Sequence, residues 1–181
     1  MNTPDPAGRR VLVAGASGLV GRALLARLEA DPGVARVHAL VRRPLDLVMP
    51  KLEAHQVDFD RLPALPAVDE AYLALGTTIA VAGSQEAFRK VDLDASLAVA
   101  RAALAAGARR IGVVSAMGAD ASSRVFYNRV KGELEQALSA LPLEALVIAR
   151  PSLLLGDRER LGQPQRRGER LGARLDRWLR P

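Results

Sequence analysis

A chain of 181 residues, 49% hydrophobic and only 3% aromatic, is long enough to bury one substantial core, and its richness in Ala, Leu, Val and Arg suits helices laid on an aliphatic sheet. Without cysteine it has no disulfide, thiolate metal site or cysteine nucleophile, and with His38 and His55 as its only histidines no zinc site is expected. The net charge of +6 is concentrated in the tail, where Asp157–Pro181 carries 8 arginines against 4 acidic residues; with so few stacking aromatics and no reading motif, that surplus does not make a nucleic-acid binder.

No apolar run reaches membrane-spanning length and residues 1–10 lack a signal-peptide core, so the expectation is a cytoplasmic protein that makes no membrane contact. Strand-like runs alternate with helical patterns along the chain. That order predicts one α/β domain, a parallel sheet with helices on both faces in three layers. Ligands of such sheets bind off the carboxyl ends of the strands, so the residues after each strand matter most.

The first strand, Arg10–Ala14, runs into Gly15-Ala16-Ser17-Gly18-Leu19-Val20-Gly21 and a helix over Leu19–Ala30. Between a strand and a helix, each glycine has a physical role. Gly15 suits a tight turn, Gly18 allows backbone to approach a pyrophosphate, and Gly21 allows close helix–strand packing. The phosphates would sit on the free N–H groups at the helix N-terminus. The spacing is G-x-x-G-x-x-G, and a ligand-free glycine turn is the plainer alternative.

The second strand, Arg36–Val41, is followed by Arg42-Arg43-Pro44. A carboxylate here would suit the ribose 2′-hydroxyl of NAD, whereas two guanidiniums suit a 2′-phosphate or form a solvated basic turn. The third strand, Glu53–Val57, leads to Asp58 and Phe59, candidates for the adenine amino group and ring face or an ordinary surface turn. Pro63 and Pro66 make Asp58–Val68 a loop or broken helix. The fourth strand, Glu70–Leu75, ends at Leu75-Gly76-Thr77, where glycine again allows close backbone approach. A helix is expected over Gln85–Ala106.

The fifth strand, Arg110–Ser115, is followed by Ala116 and a helix over Ser122–Leu141, with Ser122 and Ser123 as its caps. Within that helix Tyr127 and Lys131 share a face at i,i+4 spacing. A phenol is a poor proton shuttle at neutral pH, and a neighbouring ammonium favours the phenolate and brings it toward acid–base use. A solvated helix face is the alternative for the pair in isolation. The sixth strand, Glu144–Ala149, precedes Arg150-Pro151-Ser152-Leu153. The tail pattern predicts a helix over Gly168–Leu179 with Leu171, Leu175 and Trp178 on one face, set against the domain.

Together these residues resemble the short-chain dehydrogenase/reductase superfamily in its atypical branch, most closely the Tat-interacting-protein-like NAD(P)-binding oxidoreductases. The resemblance rests on Gly15–Gly21, Leu40–Pro44, Leu75–Thr78 with Gly83–Asp92, Val113–Asp120, Tyr127–Glu133 and Arg150–Arg158. It implies a Rossmann-like fold over residues 1–156 and a basic tail, 157–181, belonging to a substrate or lid region. It also implies Tyr127 as the acid–base group, Lys131 as a ligand of the nicotinamide ribose as well, and a serine that orients the substrate carbonyl. Backbone around Pro151 and Leu153 would meet the carboxamide.

Two departures stand out. The family often has a serine pair after the fifth strand, and here the second place is Ala116, leaving Ser115. Such proteins also continue well past a tail like this one. The expectation is an NADP(H)-preferring oxidoreductase acting on a small carbonyl or alcohol, as a monomer or homodimer. A catalytically weak NADP(H)-binding regulatory or assembly protein and a sugar-nucleotide epimerase-like enzyme remain open beside it.

Overall fold

In the computed structural model, residues 8–152 are described. They form β1 (Arg9–Ala14), α1 (Leu19–Ala30), β2 (Val34–Val41), β3 (Leu52–Gln56), β4 (Glu70–Leu73), α2 (Ile79–Ala82), α3 (Gln85–Arg89), α4 (Ser96–Ala105), β5 (Arg110–Val114), α5 (Phe126–Ser139) and β6 (Ala145–Ala149). All strand pairs are parallel, in the order β3-β2-β1-β4-β5-β6. This is the Rossmann-like sheet that the alternation of elements predicts. Its order reverses between β1 and β4, where the crevice of such a sheet opens.

The central strand explains why the first apolar run reads so clearly. Val11, Leu12, Val13 and Ala14 are all fully buried because β1 is covered on both faces. Leu12 and Ala14 pack with Leu40, Leu73, Phe88, Val99, Val130 and Leu134 on one face. Val11 and Val13 pack with Leu25, Leu28, Val37 and Ala39 on the other. The edge strand β6 alternates exposed and half-buried positions.

Two local expectations are corrected. The helix expected over Gln85–Ala106 is interrupted by a π-helical turn, Lys90–Ala95, between α3 and α4. The extra residue in that turn rotates Asp92 into the interior, where it is almost fully buried. The helix expected from Ser122 begins at Phe126, so Ser122 and Ser123 do not cap it. Asp120 takes both the Ser122 N–H and hydroxyl, and Ser123 accepts the Val125 N–H, so local turns occupy those polar groups instead. A short α2, capped by Thr78, lies in a stretch for which the sequence pattern predicts no element. The tail helix expected over Gly168–Leu179, the whole of 157–181 and Leu153 lie outside the described residues.

Candidate active site

The amino-acid pattern around Gly15 becomes a close three-way contact. Gly15 has a φ of 91°, and a Cβ there would lie 2.3 Å from the Ala74 carbonyl oxygen. A Cβ on Gly21 would lie 2.1 Å from the Gly15 carbonyl oxygen. Any larger residue at either place would push α1, the turn and the 74–77 loop apart. Gly18 is the N-cap of α1; it supplies no side-chain cap, and the first turn holds no acidic residue. Leu19 and Val20 of that turn open onto a cavity, where N–H groups at a helix start face an incoming acceptor. A dinucleotide phosphate fits this cradle by charge and by space.

The cavity, about 800 Å³, runs along the carboxyl edge of the sheet. Its wall includes Gly15, Ser17, Gly18, Leu19, Val20, Arg42, Asp58, Phe59, Leu75, Gly76, Thr77, Ser115, Tyr127, Lys131 and Pro151. Nearly every residue singled out from sequence is thereby brought to one place. Gly21 is not on the wall; it acts behind it as a packing position. Arg43 is exposed and also off the wall, so only Arg42 of the arginine pair reaches the cavity.

Burial and partners differ sharply between Tyr127 and Lys131. Tyr127 is half-buried at the wall and stacks obliquely on Phe88, ring centroids 5.5 Å apart. Lys131 is almost fully buried, and its Nζ lies 2.7 Å from Asp92 Oδ1. The other oxygen of Asp92 accepts the Thr77 N–H at 2.9 Å. One carboxylate therefore ties this α5 lysine to the 74–77 loop. A buried ammonium needs such a partner, and the π-helical turn supplies it.

Ser115 is committed differently from what its place after β5 suggests. Its hydroxyl donates to Glu135, which also receives two hydrogen bonds from Arg150, one of them 3.0 Å long from Nε. Burial pushes the Glu135 carboxyl up, but the bonds from Arg150 and Ser115 outweigh it and hold the group below its ordinary range. The Ser115 proton is thus engaged by Glu135 at the cavity wall.

Asp92 and Glu135 were not singled out from sequence. Each carried a signal: a carboxylate on an apolar helical stripe. Asp92 follows Phe88 by four residues and precedes Val99, and Glu135 lies between Lys131 and Leu138. Lys90 and Asp60, an ion pair on the cavity wall, carry no comparable signal.

A model of the family described as NAD(P)H-binding matches residues 15–169. The chain belongs to that family. Over 151 residues it is 43% identical to the mitochondrial protein FMP52 of Eremothecium gossypii, covering 82% of this chain and 67% of that protein. The mitochondrial FMP52 of Saccharomyces cerevisiae is 35% identical over 153 residues, covering 81% and 66%.

Among solved structures, a short-chain dehydrogenase from Burkholderia cenocepacia in complex with NADP superposes with a TM-score of 0.65 at 20% identity, over 87% of this chain and 78% of that one. MoeE5 in complex with UDP-glucose and NAD gives a TM-score of 0.63 at 20% identity, over 78% and 53%. The chain spans about two thirds of the length of its curated relatives and about half of the MoeE5 chain.

These relatives overturn the cytoplasmic assignment, since family members 34–43% identical are named mitochondrial. Composition and hydropathy report how a chain meets water, not to which compartment it is delivered. Among the described residues, no helix is long and apolar enough to cross a membrane.

Proposed function

We propose that this family member prefers NADP(H) and moves hydride between nicotinamide and a small carbonyl or alcohol. The observation that carries the reading is the meeting of the glycine turn, Arg42, Tyr127 and Lys131 on one cavity. The bound cofactor supplies the hydride chemistry; the chain supplies position and the proton. The first turn of α1 holds pyrophosphate, and Arg42 pairs with a ribose 2′-phosphate through its forked donors. Asp58 and Phe59 flank the adenine. Leu75, Gly76 and Thr77 would bring backbone close to the middle of the dinucleotide, and Pro151 would meet the carboxamide.

Tyr127 gives its phenolic proton to the carbonyl oxygen in reduction and takes the alcohol proton in oxidation. Lys131, held by Asp92, lines the same cavity as that phenol and would be the ligand of the nicotinamide ribose. For Ser115 to hold the substrate oxygen, its hydroxyl turns away from Glu135 and donates to that oxygen. A second reading is favoured by that same engagement of Ser115 and by Ala116: an NADP(H)-binding regulatory protein of low turnover. Reduction of any member of a small-carbonyl panel at ordinary enzyme rates excludes it.

Calorimetric titration with NADPH and NADH tests the cofactor assignment. NADPH is expected to bind more tightly, and Arg42→Ala should remove roughly tenfold of that preference or more, a change of about 1.4 kcal/mol. NADH binding as tightly as NADPH overturns the role of Arg42.

A further inference from the structure

Away from the cofactor cavity, the register of β2 and β3 assembles a second cluster. The parallel pairing sets His38 opposite Glu53 and Leu40 opposite His55. Because strand side chains alternate, His38, Glu53 and His55 project from one face of this two-strand edge. His38 Nδ1 lies 2.9 Å from His55 Nε2. Glu53 brings one carboxylate oxygen to 3.8 Å from the His38 nitrogen and the other to 3.7 Å from the His55 nitrogen. One ligand atom from each residue lies within 4.8 Å of the others. The count of two histidines and no cysteine, which argues against zinc from sequence, does not show that a carboxylate stands beside both imidazoles.

We propose that His38, Glu53 and His55 form a site for a divalent transition ion of the Zn²⁺ class, tying the edge strand β3 to β2. Tetrahedral Zn²⁺ with bonds of about 2.0–2.1 Å sets donor atoms roughly 3.3 Å apart. The two imidazole nitrogens are 2.9 Å apart, and each has a Glu53 oxygen at 3.7 or 3.8 Å, a different oxygen for each ring. One ligand atom from each residue already lies within 4.8 Å of the others, and an exposed glutamate brings a single oxygen onto both imidazoles by side-chain torsions. Two imidazoles and one carboxylate are borderline donors that suit Zn²⁺, Cu²⁺ or Ni²⁺ over Mg²⁺ or Ca²⁺.

Burial is graded across the cluster: His38 is buried, His55 half-buried and Glu53 exposed. The ion would thus enter from the Glu53 side and keep its fourth position toward water. Arg36, 3.2 Å from Glu53, competes for the carboxylate and would be displaced. The consequence for the fold is local. β3 pairs on one side only, and three residues past Gln56 the chain is already on the cofactor wall at Phe59. An ion holding β3 to β2 stiffens the start of that wall.

The test is a zinc titration of the untagged chain by competition with a chromophoric indicator, alongside thermal melts with and without Zn²⁺. One ion per chain and a raised melting temperature are expected. His55→Gln and Glu53→Gln, both at accessible positions, should each weaken binding by at least roughly tenfold and abolish the thermal shift, with unchanged circular dichroism. A simple hydrogen-bonded imidazole pair gives no stoichiometric binding at micromolar zinc. That result, or zinc binding retained in full by either variant, overturns the proposal. NADPH affinity measured on the same variants keeps this outcome separate from the cofactor assignment.

Discussion

The two ends of the sheet are built on opposite plans. At the amino-terminal edge the charges of the chain are matched with one another. Arg9 reaches Glu70 at 3.0 Å and Asp31 at 2.6 Å, Arg110 reaches Glu70 at 3.1 Å, and Arg10 forms a forked pair with Asp69. Tyr72 adds its hydroxyl to Glu70 at 3.3 Å, in line with burial and the Glu70 charge raising the phenol above its usual range. At the carboxyl edge, matching stops where a ligand is needed. The α1 amino end has no side-chain cap, and Arg42 has no ion pair among the described residues. Pairs occur there where they hold a side chain in place, as Asp92 does for Lys131. Strand direction underlies the difference, because in a parallel sheet all the carboxyl ends, and the loops that follow them, fall on one side.

If that contrast is real, substitutions at the carboxyl edge should change chemistry and those at the amino edge only stability. The largest effect is expected at Tyr127. Tyr127→Phe should lower turnover by about 10²- to 10⁴-fold while calorimetry shows NADPH binding almost unchanged. Equal turnover by the variant would remove the phenol from the proton path. Next comes Asp92→Ala, which strands a buried ammonium and should cost about 3–5 kcal/mol in urea unfolding. A loss under 1 kcal/mol would mean that Lys131 finds water or another acceptor.

A smaller effect is expected at Glu135. Its carboxyl is held below the ordinary value of 4.5, so its contribution is complete above that pH and disappears as pH falls through and below it. Glu135→Gln should cost about 1–2 kcal/mol at pH 7, limited by the exposure of Arg150, and the gap to wild type should close in urea melts taken toward pH 3. A gap that stays constant with pH would sever the link to ionisation. The smallest effect belongs to the amino edge: Asp69→Asn should cost at most about 1 kcal/mol, shrink further in high salt, and leave turnover untouched. A turnover defect there would break the division between the two edges.

How much could be read in advance follows the range of the forces involved. Val11–Ala14, Gly15, Gly18, Gly21 and the Tyr127–Lys131 spacing are local signals, set by burial of one strand, one turn and one helical face. They determined the fold class and brought the cofactor turn and the Tyr–Lys pair into view. Which atoms meet across the sheet is not local. The π-helical turn that delivers Asp92 to Lys131, the claim of Glu135 on the Ser115 proton, the placement of Arg42 but not Arg43 on the cavity, and the meeting of His38 with His55 each depend on elements 15 or more residues apart in the chain. A periodic pattern reports which face of an element is apolar. Only packing and strand register decide which buried polar group answers another, because that pairing is enforced by the cost of leaving either one alone.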